Sequence, residues 1–152
     1  MSIMRIDKTN YYLDIAETVG KRGTCLRRNY GAIIVKNDEI ISTGYTGSVR
    51  GQPNCCDTGI CKRQEMNIPS GERYELCMSV HAEQNAIISA SRKDMIGSTL
   101  YLVGTTASTG LYVGGTRPCI ICDKLIANAG ITKIVVKTGK LGFEVIMNKE
   151  GV

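Results

Sequence analysis

Behind Asp7, the apolar residues Tyr12, Ile15, Ala16 and Val19 recur at the spacing of one helix face, and Gly20 follows as a stop. Asp7 suits an N-cap, so the pattern predicts a helix over residues 7–19. The period then changes. Residues 32–36 form a β-branched run, Asn37-Asp38-Glu39 supplies turn residues, and residues 40–44 return, which predicts an antiparallel hairpin. Residues 45–78 are rich in Gly, Cys, Pro and charge without a sustained period, and read as a long excursion held by something other than a core. Helical spacing resumes with Ala82, Ala86, Ile87 and Ala90, predicting a helix over 81–90 that packs against a sheet. A strand follows at 99–103, then a helix at 119–129 stopped by Gly130. Two further strands are expected at 131–136 and 143–147. The order is α-β-β-α-β-α-β, and its second half is a strand–helix–strand crossover whose strands should run parallel.

Composition narrows the class. A chain of 152 residues, 43% apolar and 22% charged, has the balance of one soluble globular domain with a sizeable core, read here as spanning 1–152. No apolar run reaches the roughly 18 residues of a membrane helix, so no membrane partner is expected. The first residues, Met-Ser-Ile-Met-Arg-Ile-Asp, lack the apolar centre of a secretory signal, which points to a cytoplasmic protein. Seven cysteines in such a chain argue for metal ligation over disulfides. The formal charge of +5 is not gathered into a basic run interleaved with aromatics, so no nucleic-acid polymer is expected as partner.

The chemistry lies in His81-Ala82-Glu83 and, later, Pro118-Cys119-Ile120-Ile121-Cys122. One imidazole and two thiolates fill three of the four tetrahedral positions of Zn²⁺ and leave the fourth for water. An open site of that kind is catalytic, because the bound water loses a proton near neutral pH. Glu83 is not needed as a ligand and is free to carry protons. A lone Cys-x-x-Cys also fits a redox pair or half of a structural zinc knot, and a lone histidine is usually structural. The four residue types in this order and spacing instead match the signature of zinc deaminases, which attack the amine-bearing carbon of cytosine or adenine. Both segments open predicted helices, where a spacing of three puts Cys119 and Cys122 on one face and the helix N-terminus favours thiolates.

From about Cys25 to Val136 the chain resembles a deoxycytidylate (dCMP) deaminase of the cytidine deaminase superfamily, most nearly the bacterial competence-operon type. The resemblance rests on Thr24-Cys25-Leu26-Arg27-Arg28, Gly31-Ala32-Ile33-Ile34-Val35, Ile41-Ser42-Thr43-Gly44-Tyr45, Ser70-Gly71-Glu72-Arg73 and Glu75-Leu76-Cys77. It continues through His81-Ala82-Glu83-Gln84-Asn85-Ala86-Ile87 and the Pro-Cys-x-x-Cys stretch. It implies a three-layer α/β/α sandwich on a mixed sheet of about five strands and a homo-oligomer, often a hexamer. The implied reaction is hydrolysis of dCMP to dUMP and ammonia, with activation by dCTP and inhibition by dTTP. It makes His81, Cys119 and Cys122 the catalytic zinc ligands and Glu83 the proton shuttle. The alternatives are a zinc deaminase of another pyrimidine nucleotide, nucleoside or modified base, or a non-catalytic zinc or nucleotide-binding module on the same scaffold.

Two features depart from the family pattern. The usual Gly-Tyr-Asn-Gly reads Gly44-Tyr45-Thr46-Gly47, so a substrate-contacting amide is replaced by the single hydroxyl of Thr46. Residues 104–117 form an insertion rich in Gly, Thr, Ser and Tyr before Pro118, which suits a lid, a subunit contact, a specificity element or a plain surface loop. Arg27 and Arg28 are candidate phosphate contacts, with Arg73 behind them. Asn85 is assigned the orientation of its neighbours. Some related deaminases carry a second, structural zinc at positions matching Cys25 and Cys55. Cys61 and Cys77 would complete such a four-thiolate site, with Cys56 able to replace Cys55.

Overall fold

The computed structural model describes residues 4–148. The helix α1, Lys8–Gly20, is capped by Asp7, whose carboxylate accepts from the Asn10 N–H at 3.0 Å. The hairpin consists of β1, Arg28–Lys36, and β2, Glu39–Tyr45. Its turn is only Asn37-Asp38, both at positive φ (52° and 61°), the combination that a tight two-residue connection requires and that Asn and Asp tolerate. Glu39, expected in the turn, already belongs to β2. A bulge between Ile34 and Val35 offsets the β1–β2 register by one residue.

The excursion is less shapeless than its sequence. It contains β3, Gly47–Ser48, the single-turn helices α2, Cys55–Thr58, and α3, Lys62–Glu65, and a 3₁₀ turn at Tyr74–Leu76; β4, Ser79–Val80, just beyond its end, pairs antiparallel with β3. Then come α4, Ala82–Ile88, and α5, Arg92–Met95, the latter not anticipated. They are followed by β5, Thr99–Thr106, α6, Ile120–Asn128, β6, Lys133–Lys137, and β7, Phe143–Met147. The main sheet has the order β2-β1-β5-β6-β7; β5 and β6 are parallel and the other neighbours antiparallel. Ile131 and Thr132 lie before β6, although Ile131 is buried: its N–H is held by the Ile126 carbonyl at the end of α6 rather than by a strand.

Gly31–Val35 are all buried because helices cover both faces of the sheet. Ile33 and Val35 face α1, packing with Leu13, Ala16 and Val103. Ala32 and Ile34 face the other way, toward Ala82, Ala86 and Ile126 of α4 and α6. This is the three-layer α/β/α arrangement. On the second face, Gly44 allows an unusually close approach: a methyl there would lie 2.3 Å from the Ala82 carbonyl oxygen and 2.4 Å from the Ala86 nitrogen. Ser42 Oγ donates to the Ala86 carbonyl at 2.7 Å and Asn85 Nδ2 to the Tyr45 carbonyl at 2.8 Å, so α4 is bolted to β2 along its length.

The insertion does not begin at Gly104, since β5 continues to Thr106. The chain turns there and comes back along β5, with the Thr106 N–H donating to Leu111 and the Val113 N–H to Gly104. This return occupies the edge of β5 left open beyond Leu102, where pairing with β6 ends. Lys137, 2% exposed, donates from Nζ to Asp14 at 3.1 Å beneath the Tyr112 ring, and the Tyr112 hydroxyl bonds Glu17. The insertion is thereby fastened to α1.

Candidate active site

His81 is the N-cap of α4, at φ −70° and ψ 151°. Its N–H donates to Gln84 Oε1 at 2.9 Å and its carbonyl accepts from Asn85 N at 3.0 Å, so the ring leaves a fixed backbone. Cys119 is the N-cap of α6, and its sulfur accepts from the Cys122 N–H at 3.4 Å. The parallel β5–β6 crossover and the close seating of α4 bring these two helix starts together. His81 Nδ1 lies 3.2 Å from Cys122 Sγ and 3.5 Å from Cys119 Sγ, and all three donor atoms are within 4.8 Å of one another. Bond lengths of about 2.05 and 2.3 Å at a tetrahedral angle put nitrogen and sulfur about 3.5 Å apart on one zinc ion. The donor set fits zinc in type and spacing.

Burial, helped by the Arg63 charge, pushes the His81 pKa down and keeps the imidazole in its neutral, ligating form. Burial pushes the Cys122 thiol up, reinforced by Glu83, so thiolate there requires a cation. Glu83, in the first turn of α4, is 5% exposed and burial raises its pKa; its own backbone N–H and then the nearby Cys122 thiol oppose that rise. A buried carboxyl with raised proton affinity beside three metal donors can accept and return a proton near neutral pH.

One cavity contains His81, Glu83 and Cys119 together with Thr46, Arg27 and Arg28. Thr46 reaches it, but its Oγ1 accepts from the Tyr30 N–H at 3.0 Å and approaches the Tyr30 carbonyl at 3.5 Å, extending the β1–β2 pairing by one rung. Arg73 is not at the cavity; it pairs on the surface with Glu75 at 2.6 Å. Tyr74 and Arg63 are among the wall residues that the sequence does not single out. Tyr74 stands edge-on to the His81 ring at 5.2 Å, and the Arg63 guanidinium lies 4.7 Å over Tyr74. Arg63 is 6% exposed and donates to the Glu72 and Pro69 carbonyls, both at 3.0 Å. In sequence it is one charge in a charged stretch, with nothing to mark it.

The remaining cysteines converge without reaching ligand spacing. Burial raises the Cys55 thiol, and Cys25, Cys77 and Cys61 are close enough to act on it electrostatically. Among the described residues, however, only His81, Cys119 and Cys122 form a group of three or more donors within 4.8 Å. Cys56 is exposed, its sulfur 3.9 Å from Asp57 Oδ1, and is not among the thiols that act on Cys55.

Residues 6–138 match the family described as "Cytidine and deoxycytidylate deaminase zinc-binding region". The deoxycytidylate deaminase of Mycobacterium phage D29 is 34% identical over 136 residues, 86% of this chain and 94% of that protein. The deoxycytidylate deaminase of Schizosaccharomyces pombe is 31% identical over 129 residues; the match spans 85% of this chain but 36% of the yeast protein. The crystal structure of dCMP deaminase from the cyanophage S-TIM5 in complex with dCMP and dUMP is similar at a TM-score of 0.60 and 27% identity, over 90% of this chain and 85% of that one.

Proposed function

Because the chain belongs to the cytidine and deoxycytidylate deaminase family of zinc-binding enzymes, we propose that it hydrolyses dCMP to dUMP and ammonia. The observation that carries this reading is Glu83, a buried carboxyl in the same cavity as the His81–Cys119–Cys122 donor set. When bound there, zinc keeps one position open and lowers the pKa of water in it, supplying a nucleophile near neutral pH.

The chain's own residues do the rest. His81 presents Nδ1 to the two thiols because its backbone is pinned by Gln84 and its ring is held against Tyr74. Glu83 takes the proton from the attacking water, delivers it to the pyrimidine ring nitrogen, and passes a second to the departing amine. The Cys119 N–H, at the start of α6, stabilises negative charge developing near the attacking oxygen. Arg27 and Arg28 bring positive charge to the side of the cavity where the substrate phosphate would lie. Thr46 shapes the cavity floor and leaves the sugar hydroxyl without the partner an amide would give. That favours, as a second reading, a related pyrimidine nucleotide in place of dCMP. A second zinc at Cys25, Cys55, Cys61 and Cys77 is supported by the convergence of their thiols on Cys55 and requires the sulfurs to draw inward. The outer face of α6 carries Ile120, Ile121 and Leu125, exposed at 78%, 53% and 38%, as a homo-oligomer contact would.

Ammonia release from a panel of cytosine and adenine nucleotides, nucleosides and bases tests the assignment. The fastest turnover is expected with dCMP. Glu83→Gln is expected to keep zinc and lose about 10²- to 10⁴-fold in kcat. A Glu83→Gln enzyme with near-normal turnover removes the carboxylate from the mechanism, and a panel without any deaminated pyrimidine overturns the function.

A further inference from the structure

The cavity is electrostatically one-sided. Arg27, Arg28, Arg63 and Arg117 contribute to its lining, against the single carboxylate of Glu83. The four guanidinium groups are not equally available. Arg63 is occupied by the Glu72 and Pro69 carbonyls, and Arg28 lies close enough to the Tyr30 hydroxyl to offset part of the rise that burial gives its pKa. Arg27 and Arg117 remain, and the insertion places both. Its first residue beyond β5, Ala107, donates to the Arg27 carbonyl at 2.8 Å. Its far end is set by buried Val113 and by buried Thr116, whose Oγ1 donates to the Val113 carbonyl at 2.7 Å. Arg117 follows, two residues before the ligand Cys119.

Arg117 is held loosely. Among the described residues its one ion-pair partner is Glu144 on β7, at 3.7 Å, with both side chains more than half exposed. At that distance the pair is not a hydrogen bond, and an exposed pair of this kind contributes little. A phosphate group, with up to two negative charges and oxygens that accept a guanidinium fork, outcompetes it easily.

Resting on the deaminase reading above, we propose that Arg117, delivered by the insertion, leaves Glu144 to bind the substrate's phosphate with Arg27, and thereby selects nucleotides over nucleosides. The insertion is then a specificity element rather than a surface loop, and the selectivity lies outside the metal-binding motifs.

The test compares kcat/KM for dCMP and for deoxycytidine in wild type, Arg117→Ala, Arg117→Gln and Arg117→Lys, with zinc content measured for each. Loss of a charge-assisted phosphate contact should lower the dCMP-to-deoxycytidine ratio on the order of ten- to a hundredfold in the Ala and Gln variants, mainly through KM for dCMP, and less in Lys. Arg117→Gln keeps most of the stem should Arg117→Ala fold poorly. If Arg117 merely positions Pro118 and Cys119, both substrates lose equally and the ratio stands still, which overturns the proposal. A wild type that deaminates deoxycytidine as efficiently as dCMP overturns the nucleotide reading itself, before any variant is compared.

Discussion

Replacing Gly44 with alanine adds one methyl group at the point where β2 meets α4. The new carbon would sit 2.3 Å from the Ala82 oxygen and 2.4 Å from the Ala86 nitrogen, both backbone atoms that no rotamer change can move. Ordinary contact begins near 3.4 Å, so strand and helix must separate by about 1 Å. β2 is held to β1 along six registered residue pairs, so α4 takes most of the shift, and its first turn carries His81 and Glu83. Overpacking of this kind costs roughly 1–3 kcal/mol of stability, and a 1 Å displacement of catalytic groups costs about 10²-fold in rate. Thermal unfolding, zinc content and kcat/KM are measured on Gly44→Ala beside Gly139→Ala, where nothing lies within 4 Å of the added methyl. The expected result is a lower Tm and a rate loss near a hundredfold in Gly44→Ala, and no change in Gly139→Ala. A Gly44→Ala enzyme within twofold of wild type in kcat/KM would refute the idea that this contact sets the height of α4.

Metal analysis of Cys55→Ser and Cys56→Ser separates the two adjacent thiols: loss of about one zinc per chain and of thermal stability is expected for Cys55→Ser alone, and equal metal content in both variants and wild type would dismiss the four-cysteine site. For the buried ammonium of Lys137, Lys137→Met should leave stability within about 1 kcal/mol, whereas Asp14→Ala, which strands the charge, should cost more, on the order of 1–2 kcal/mol since Asp14 is half-exposed. Urea unfolding midpoints in the reverse order would show that the pair is not the anchor described.

What the sequence made legible was local. Asp7 capping α1 and β7 at Phe143–Met147 each follow from a few adjacent residues and lie where expected, and the turn lies at Asn37-Asp38, one residue shorter than expected. The convergence of His81, Cys119 and Cys122 is legible for the same reason: two short segments carry all three, and the crossover only has to bring two helix starts together. The missing parts depend on partners distant in the chain. β5 runs past residue 103 because β1, which starts at Arg28, pairs with it as far as Thr106 and residues 111–113 return along its other edge. Ile131 is apolar and buried like a strand residue, yet its N–H belongs to a helix end. In sequence Thr46 offers one free hydroxyl, and only the fold reveals that the Tyr30 backbone already occupies it. Arg63 has no sequence signature, because its partners are carbonyl oxygens, which every residue possesses.

The walls of the cavity differ in stiffness. His81, Glu83 and Cys119 stand on helices clamped to the sheet, whereas Arg63, Ser70, Tyr74 and Cys77 come from a stretch in which, between residues 51 and 80, only Cys55 and Arg63 are buried. A segment with so little interior of its own opens locally at a small fraction of the free energy needed to unfold the sheet. The wall that yields first is therefore the one built by the excursion. His81 and Glu83, two residues apart at the start of one clamped helix, keep their mutual geometry when that wall opens.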